Sequence, residues 1–209
     1  MSLPQPIRLI DSPRAPNPRR VRMFIAEKGI TLPTTDLDIM QGEHFREEYR
    51  GKAGTHHVPA LELVGGTVLT ETVAICRYLE ALYPEPNLMG VDPLEQAVVE
   101  MWSRRMEFGL LLPVAQVLRH GNPAMEVLES PQVPEWAEVN RPRVQRGLEM
   151  LEVALAETPF IAGERFTIAD ITAIVSVEFM RTIRMSVPEE HVGTHAWMDG
   201  IRQRPGYVK

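Results

Sequence analysis

The hydrophobic period of this 209-residue chain changes at residues 84–93. The segment reads PEPNLMGVDP, and its three prolines and one glycine disfavour a continuous helix across it. Before this segment, short strand-like apolar runs alternate with helical stretches, and after it the apolar spacing is helical throughout. We therefore predict two domains, at residues 1–83 and 93–209, joined by a linker at 84–92.

The first half predicts a β-α-β unit followed by a β-hairpin and a helix. An apolar run, IRLI, is typical of a buried strand, and a turn with three prolines separates it from the first helix. Gly65-Gly66 is a two-residue hairpin turn between two further apolar runs. The predicted elements are strands at 7–10, 34–39, 58–64 and 67–69 and an amphipathic helix at 71–83.

The second half predicts only helices. Leu94, Val98 and Met101 recur on one helical face, and two later stretches repeat the same spacing. Thr167 and Asp170 form a capping box, in which each side chain accepts a hydrogen bond from the other residue's amide. That pattern predicts a helix that begins directly after Thr167, and its role is stability rather than chemistry.

Charge and composition exclude several classes of function. The chain has 22 basic and 28 acidic side chains, and this net charge of −6 disfavours nucleic acid or an anionic membrane surface as the main partner. No apolar stretch approaches the length of a membrane span, and the first residues do not resemble a signal peptide, so we expect a cytoplasmic protein.

A single cysteine, Cys76, excludes an internal disulfide and a cysteine-based zinc site, so we expect no metal and a reducing compartment. Cys76 falls between core positions of a predicted helix, which indicates a small buried hydrophobe without a chemical role. A cluster of three arginines, Arg19, Arg20 and Arg22, falls opposite the apolar stripe of the first helix. We expect these arginines to be solvated or to form salt bridges across a dimer.

Three motifs, in this order and at this spacing, resemble those of the glutathione transferases. They are VPAL at 58–61, LTETVAI at 69–75 and FIAGERFTIAD at 160–170. The segment from Trp197 to Arg204-Pro205 also resembles the closing helix of that family, so the likeness covers nearly the whole chain. It implies an α+β thioredoxin-like N-terminal domain, an all-α C-terminal domain and a homodimer.

The resemblance also implies an activity, the conjugation of glutathione to a hydrophobic electrophile in detoxification. Two alternatives stay open: a glutathione-dependent disulfide reductase or peroxidase, and a glutathione-binding protein without catalytic activity.

Four residues of the first domain match positions that bind glutathione in the family. Pro59 corresponds to a cis-proline that would turn the backbone of Val58 into an open edge, where a peptide can add as a strand. An ordinary trans proline at the start of a strand is the alternative. Glu71 and Thr72 stand where a strand ends and a helix begins, and together they suit the ammonium and carboxylate of a γ-glutamyl group. Their alternative role is that of a simple helix cap.

Two histidines match positions that face the glycine carboxylate of glutathione in plant-type and bacterial members. His44 lies in a Gly-Glu-His sequence, and His57 directly precedes Val58. Histidine can donate a hydrogen bond to a carboxylate in either charge state. An incidental surface position is the alternative for both, and we expect the neighbouring His56 to be solvated.

The catalytic position departs from the family pattern. Ala15-Pro16-Asn17 stands where other members have Ser-Pro, Cys-Pro or Thr-Pro, and alanine cannot donate a hydrogen bond to a thiolate. We place Asn17 first as the donor that stabilises the thiolate, because it matches the Asn of Thr-Pro-Asn members. Ser12 is the second candidate, and backbone amides at the start of the first helix would assist either residue.

The electrophile is expected to meet the first helix of the second domain. The candidate residues are Trp102, Arg105, Met106 and Phe108, although Trp102 and Met106 also fit a hydrophobic core.

Overall fold

The computed structural model describes residues 3–208, which form two compact units. The first unit runs to Pro86 and takes in the chain again from Pro205, and the second is Asn87–Arg204. The sequence assigned the whole C-terminus to the second domain, whereas the described residues after Arg204 belong to the first unit. There Arg19 Nε donates to the carbonyl of Val208 at 2.7 Å, a contact that no local pattern encodes.

The first unit has a four-stranded sheet in the order β2-β1-β3-β4. The first pair is parallel and the other two are antiparallel, with Ile10 opposite Ala60 in the register of β1 and β3. This topology confirms the thioredoxin-like fold that the resemblance implied. The elements are β1 (Pro6–Asp11), α1 (Pro16–Glu27), β2 (Thr34–Asp36), α2 (Glu47–Ala53), β3 (Ala60–Leu63), β4 (Val68–Thr70) and α3 (Thr72–Leu82).

Two local features differ from the sequence prediction. β2 ends three residues early because the Asp38 carboxylate accepts the amides of Met40 and Gln41, at 2.9 and 3.2 Å, and starts a 3₁₀ turn. The short helix α2 was not predicted. It has two glutamates in its first turn and ends at Gly54, whose φ of 68° suits glycine.

The second unit is helical, as predicted. Its central helix α7 is buried along most of its length, and the capping box forms: Thr167 N–H donates to Asp170 Oδ2 at 2.9 Å. No helix within residues 3–208 has both the length and the apolar character that a membrane crossing needs. The helices are α4 (Pro93–Met106), α5 (Leu112–Gly121), α6 (Pro134–Leu155), α7 (Ile168–Phe179) and α8 (Val192–Arg202).

The apolar stripe predicted on α4 is not the buried one. Leu94 is 75% exposed and Met101 is also exposed, whereas Val99 is 2% exposed and faces the core. The buried positions also include Ser103, whose hydroxyl lies 3.3 Å from that of Thr172 on α7. The buried face of α4 therefore includes a polar residue that contacts α7, and an apolar stripe alone does not identify that face.

A π-helical turn, Glu107–Leu111, joins α4 to α5. It packs closely against α6, because a β-carbon added at Gly147 would lie 2.6 Å from the carbonyl oxygen of Gly109. Only glycine fits at position 147 without a shift of the neighbouring backbone.

Candidate functional site

The loop before β3 presents an open backbone edge. The Val58–Pro59 peptide bond is cis, as the resemblance implied, and Pro59 is buried. No group within residues 3–208 forms a hydrogen bond with the amide or carbonyl of Val58. These two backbone groups are therefore available to an extended ligand.

The junction of β4 and α3 is held in a strained conformation. Glu71 has φ 68° and ψ 118°, outside the regions that residues with a β-carbon ordinarily adopt, and its side chain is exposed. Its carbonyl accepts the amide of Ile75 at 2.9 Å, which fixes it as the helix cap. The amides of Thr72 and Val73 have no acceptor within the described chain, so the start of α3 can receive an anion. Strain of this kind is concentrated at functional sites.

Three histidines, His44, His56 and His57, lie around α2. His44 is buried, and the other two are exposed. His44 is only 4% exposed, and its ring lies 3.9 Å from that of Phe45. The ring centroids of His57 and His56 are 4.3 Å apart. His56 is exposed, as expected, and it packs against His57. Beside them is a cleft of about 300 Å³ lined by Glu47, Arg50, Gly54, Thr55 and His56.

The start of α1 offers fewer amides than the sequence suggested. Pro16 and Pro18 have no N–H, and the amide of Ala15 already donates to the Ser12 carbonyl at 3.0 Å. Within residues 15–18 of the described chain, only the Asn17 amide is unbonded. The Asn17 side chain is exposed and its Oδ1 accepts from Arg20 at 3.3 Å, which leaves its Nδ2 as a second donor. Both donors at this helix start therefore belong to Asn17.

Ser12 lies deeper than Asn17. Its side chain is buried, and its hydroxyl has no hydrogen-bond partner among residues 3–208. Its amide donates to Asp11 Oδ1 at 2.6 Å. The amide and Nδ2 of Asn17 and the hydroxyl of Ser12 thus remain available as donors, the first two at the surface and the third at the end of β1.

A partly buried ion pair that the sequence analysis missed fixes this turn. Arg22 Nη1 donates to both carboxylate oxygens of Asp11, at 2.6 and 2.8 Å, and its Nη2 donates to the Pro13 carbonyl at 3.0 Å. An acidic residue at a strand end, followed by an arginine on the next helix, is the only sequence signal for this contact. The pair holds the segment that carries Ser12.

Of our two alternatives for the arginine cluster, solvated charge or salt bridges across a dimer, the first is wrong for Arg20, which is buried, and Arg19 and Arg22 are only half-exposed. Arg20 is 1% exposed, Arg22 pairs with Asp11, and Arg19 contacts the C-terminal segment. A helix face that sequence periodicity marks as polar is covered here because each guanidinium finds acceptors within its own unit.

Cys76 is fully buried within α3. Burial raises the pKa of its thiol to about 12, although the nearby Arg20 charge acts in the opposite direction. The thiol is thus neutral near pH 7 and unreactive. No group of three or more metal-ligating side chains is assembled within residues 3–208.

The four candidates on α4 and the following turn separate into exposed and buried residues. Met106 is fully buried in the core of the second unit. Arg105 is exposed, and its guanidinium lies 4.7 Å from the centre of the half-buried Trp102 ring. Phe108 is 60% exposed on the π-helical turn. Trp102, Arg105 and Phe108 are thus at least partly accessible, and the ring of Phe108 contacts the guanidinium of Arg104 at 5.7 Å.

Comparison with known proteins agrees with the motifs. The sequence profile described as "Glutathione S-transferase, N-terminal domain" matches residues 15–82, and the profile "Glutathione S-transferase, C-terminal domain" matches residues 134–200. Glutathione S-transferase 2 of Saccharomyces cerevisiae is 35% identical over 204 residues, covering 96% of this chain and 88% of the yeast protein.

Two further similarities concern structure and activity. The crystal structure of a glutathione S-transferase domain-containing protein from Marinobacter aquaeolei has a TM-score of 0.93 and 35% identity, and covers 97% of this chain and 100% of that one. Maleylacetoacetate isomerase of Rattus norvegicus is 30% identical over 156 residues, covering 73% of this chain and 68% of the isomerase.

Proposed function

The chain belongs to the glutathione transferase family, and we propose that it binds glutathione on its first unit and transfers the thiolate to a hydrophobic electrophile. The transferase class follows from the full-length similarity to the yeast enzyme. The binding residues and the electrophile are our proposal. The observation that carries it is Glu71, whose strained backbone presents a carboxylate beside the open amides of α3.

The γ-glutamyl end of glutathione has an ammonium and a carboxylate on one carbon. Glu71 binds the ammonium, and the amides at the start of α3, with the hydroxyl of Thr72, bind the carboxylate. This division explains why a carboxylate side chain and a helix N-terminus occur together here.

The middle of the tripeptide pairs with the free amide and carbonyl of Val58, which adds the ligand as a short strand beside Pro59. His57 donates to the glycine carboxylate because its ring is exposed next to that edge. His44 is nearly covered by protein, so we assign it a smaller part in the same contact.

Catalysis requires the thiolate of glutathione, since a thiol with an ordinary pKa near 8.5 is mostly protonated at neutral pH. Asn17 stabilises the sulfur anion through its amide and Nδ2, and Ser12 is the second candidate donor. The thiol loses its proton to solvent, the sulfur forms a bond to the electrophilic carbon, and the leaving group departs with its electron pair.

The electrophile contacts one or more of the accessible residues Trp102, Arg105 and Phe108, and we leave Met106 out because it is buried. We also propose that the protein is a homodimer, as the family resemblance implies. Its reaction consumes reduced glutathione, which the cytoplasm maintains, so we propose that location.

A second candidate function is a glutathione-dependent disulfide reductase or peroxidase. Ala15 favours it, because the hydroxyl that usually supports conjugation is missing. The isomerase relative adds a third reaction to compare.

The experiment measures turnover with glutathione and three acceptors: a chlorinated dinitrobenzene, hydroxyethyl disulfide and maleylacetoacetate. We expect the fastest turnover with the chlorinated aromatic. Faster reduction of the disulfide would replace our proposal with the reductase, and turnover of maleylacetoacetate alone would replace it with an isomerase. Calorimetry without detectable glutathione binding would refute all three.

A further inference from the structure

The hydroxyl of Tyr49 donates to the backbone carbonyl of His57, eight residues further along the chain. Tyr49 lies on α2, and His57 directly precedes the cis peptide bond. This contact therefore joins a helix to the loop whose backbone we propose as the binding edge for glutathione.

The Tyr49 ring packs against residues of the β-sheet. Tyr49 is buried in a cluster with Ile10 of β1 and Ala60 of β3, and Val58 packs against the same cluster. Burial raises the pKa of the Tyr49 hydroxyl to about 12, so it remains a proton donor over the whole working range. The core thus fixes the position of the Tyr49 ring, and the hydrogen bond from its hydroxyl restrains the His57 carbonyl in the loop.

The backbone of His57 is held on both sides. Its amide donates to Thr55 Oγ1 at 3.2 Å, while its carbonyl accepts from Tyr49. Both backbone groups of His57 are therefore hydrogen-bonded. The amide and carbonyl of Val58, the next residue, form no hydrogen bond within the described chain.

We propose that Tyr49 is a positioning residue, which orients the backbone of His57 and Val58 so that the edge is formed before glutathione arrives. This inference rests on the proposed function. It predicts that the hydroxyl contributes to glutathione affinity without touching glutathione, because a loop that is already ordered loses less conformational entropy when the ligand pairs with it.

If the Tyr49 hydroxyl contributed only to folding, the glutathione affinity of Tyr49→Phe would differ from our prediction. The hydrogen bond between Tyr49 and His57 is partly buried, so a purely structural role would lower the melting temperature of Tyr49→Phe and leave its Kd for glutathione unchanged. The affinity for glutathione, by contrast, depends on how the backbone amide and carbonyl of Val58 are oriented.

The test compares Tyr49→Phe with a matched control, Tyr78→Phe. Tyr78 lies on α3 in the same unit, and its hydroxyl donates to the Pro4 carbonyl at 2.6 Å, so each variant loses one hydroxyl-to-carbonyl hydrogen bond. We measure the Kd for glutathione by calorimetry, the melting temperature, and kcat and KM with the chlorinated aromatic.

We expect Tyr49→Phe to raise the Kd and KM for glutathione about three- to tenfold, the effect of one lost hydrogen bond. Its kcat at saturating glutathione should remain near the wild-type value, and Tyr78→Phe should leave the Kd unchanged. Equal Kd values for wild type and Tyr49→Phe, or equal losses in both variants, would overturn the proposal.

Thr55→Val provides a second variant if Tyr49→Phe does not fold. It releases the amide of His57 while keeping the shape of the side chain, and it should also raise the Kd. An unchanged Kd in this variant would count against the proposal. If the wild-type protein itself does not bind glutathione, the proposed function fails rather than the role of Tyr49.

Discussion

Replacing Glu71 separates the stability of the chain from its binding function. A backbone with φ 68° and ψ 118° costs a residue with a β-carbon roughly 1–3 kcal/mol. Glycine removes most of this strain but adds about 0.4–1 kcal/mol of unfolded-state entropy. The side chain is exposed, so its removal costs little packing. Glu71→Gly should therefore be about 1 kcal/mol more stable than Glu71→Ala, which keeps the strain.

In a chain of this size, that difference corresponds to roughly 2–4 °C in melting temperature. Both variants lose the carboxylate that binds the ligand ammonium, a charged hydrogen bond of about 1.5–3 kcal/mol, so both should bind glutathione about 10- to 150-fold more weakly. Scanning calorimetry measures the first effect and titration calorimetry the second. A glycine variant no more stable than the alanine variant would refute the strain, and wild-type affinity in either would refute the assignment of Glu71.

Three further outcomes follow from buried positions. Cys76→Ala should keep nearly all turnover, since the thiol is buried and neutral; loss of activity in a folded variant would show a chemical role. Burial raises the pKa of Asp170 from 3.8 to about 6, so the folded state binds the extra proton between these values and stability should rise as pH falls through that range. Asp170→Asn should remove that rise in urea unfolding, and an identical pH profile would contradict it. Gly147→Ala should destabilise the protein by about 1–3 kcal/mol because its β-carbon meets Gly109, whereas Gly200→Ala, in open space on α8, should stabilise it by about 0.5–1 kcal/mol; thermal unfolding compares the two.

The sequence alone predicted most of the fold because local signals were strong. The glycine pair at 65–66 marked the hairpin, the Thr167-Asp170 box marked the start of α7, and the prolines after Tyr83 marked the break between the two periods. Each signal depends on residues within a few positions of one another.

The turn after β1 could not be predicted in the same way. The contact of Arg22 with Asp11 spans eleven residues and depends on where α1 begins, and a helical period shows only that Arg22 is opposite the apolar stripe. For the same reason, Arg20 appeared solvated although it is buried.

At the candidate site, the motifs indicated Val58 and Glu71, but their conformations required the structure. The positive φ of Glu71 has no local sequence signal, because glutamate is not a residue that favours it. Nor does the sequence show that Tyr49 reaches the carbonyl of His57, since α2 itself was not predicted.

The pKa of the bound glutathione thiol shows whether the protein stabilises the thiolate. Titration of the ultraviolet thiolate absorbance should give a value below the 8.5 of a free thiol in the wild-type complex. Asn17→Ala should raise it, and Ala15→Ser should lower it, because it adds a hydroxyl at the position where the family usually has one, with each pKa unit corresponding to about 1.36 kcal/mol. If the pKa of bound glutathione equals that of free glutathione, or if only Ser12→Ala raises it, the account of Asn17 as the thiolate donor is contradicted.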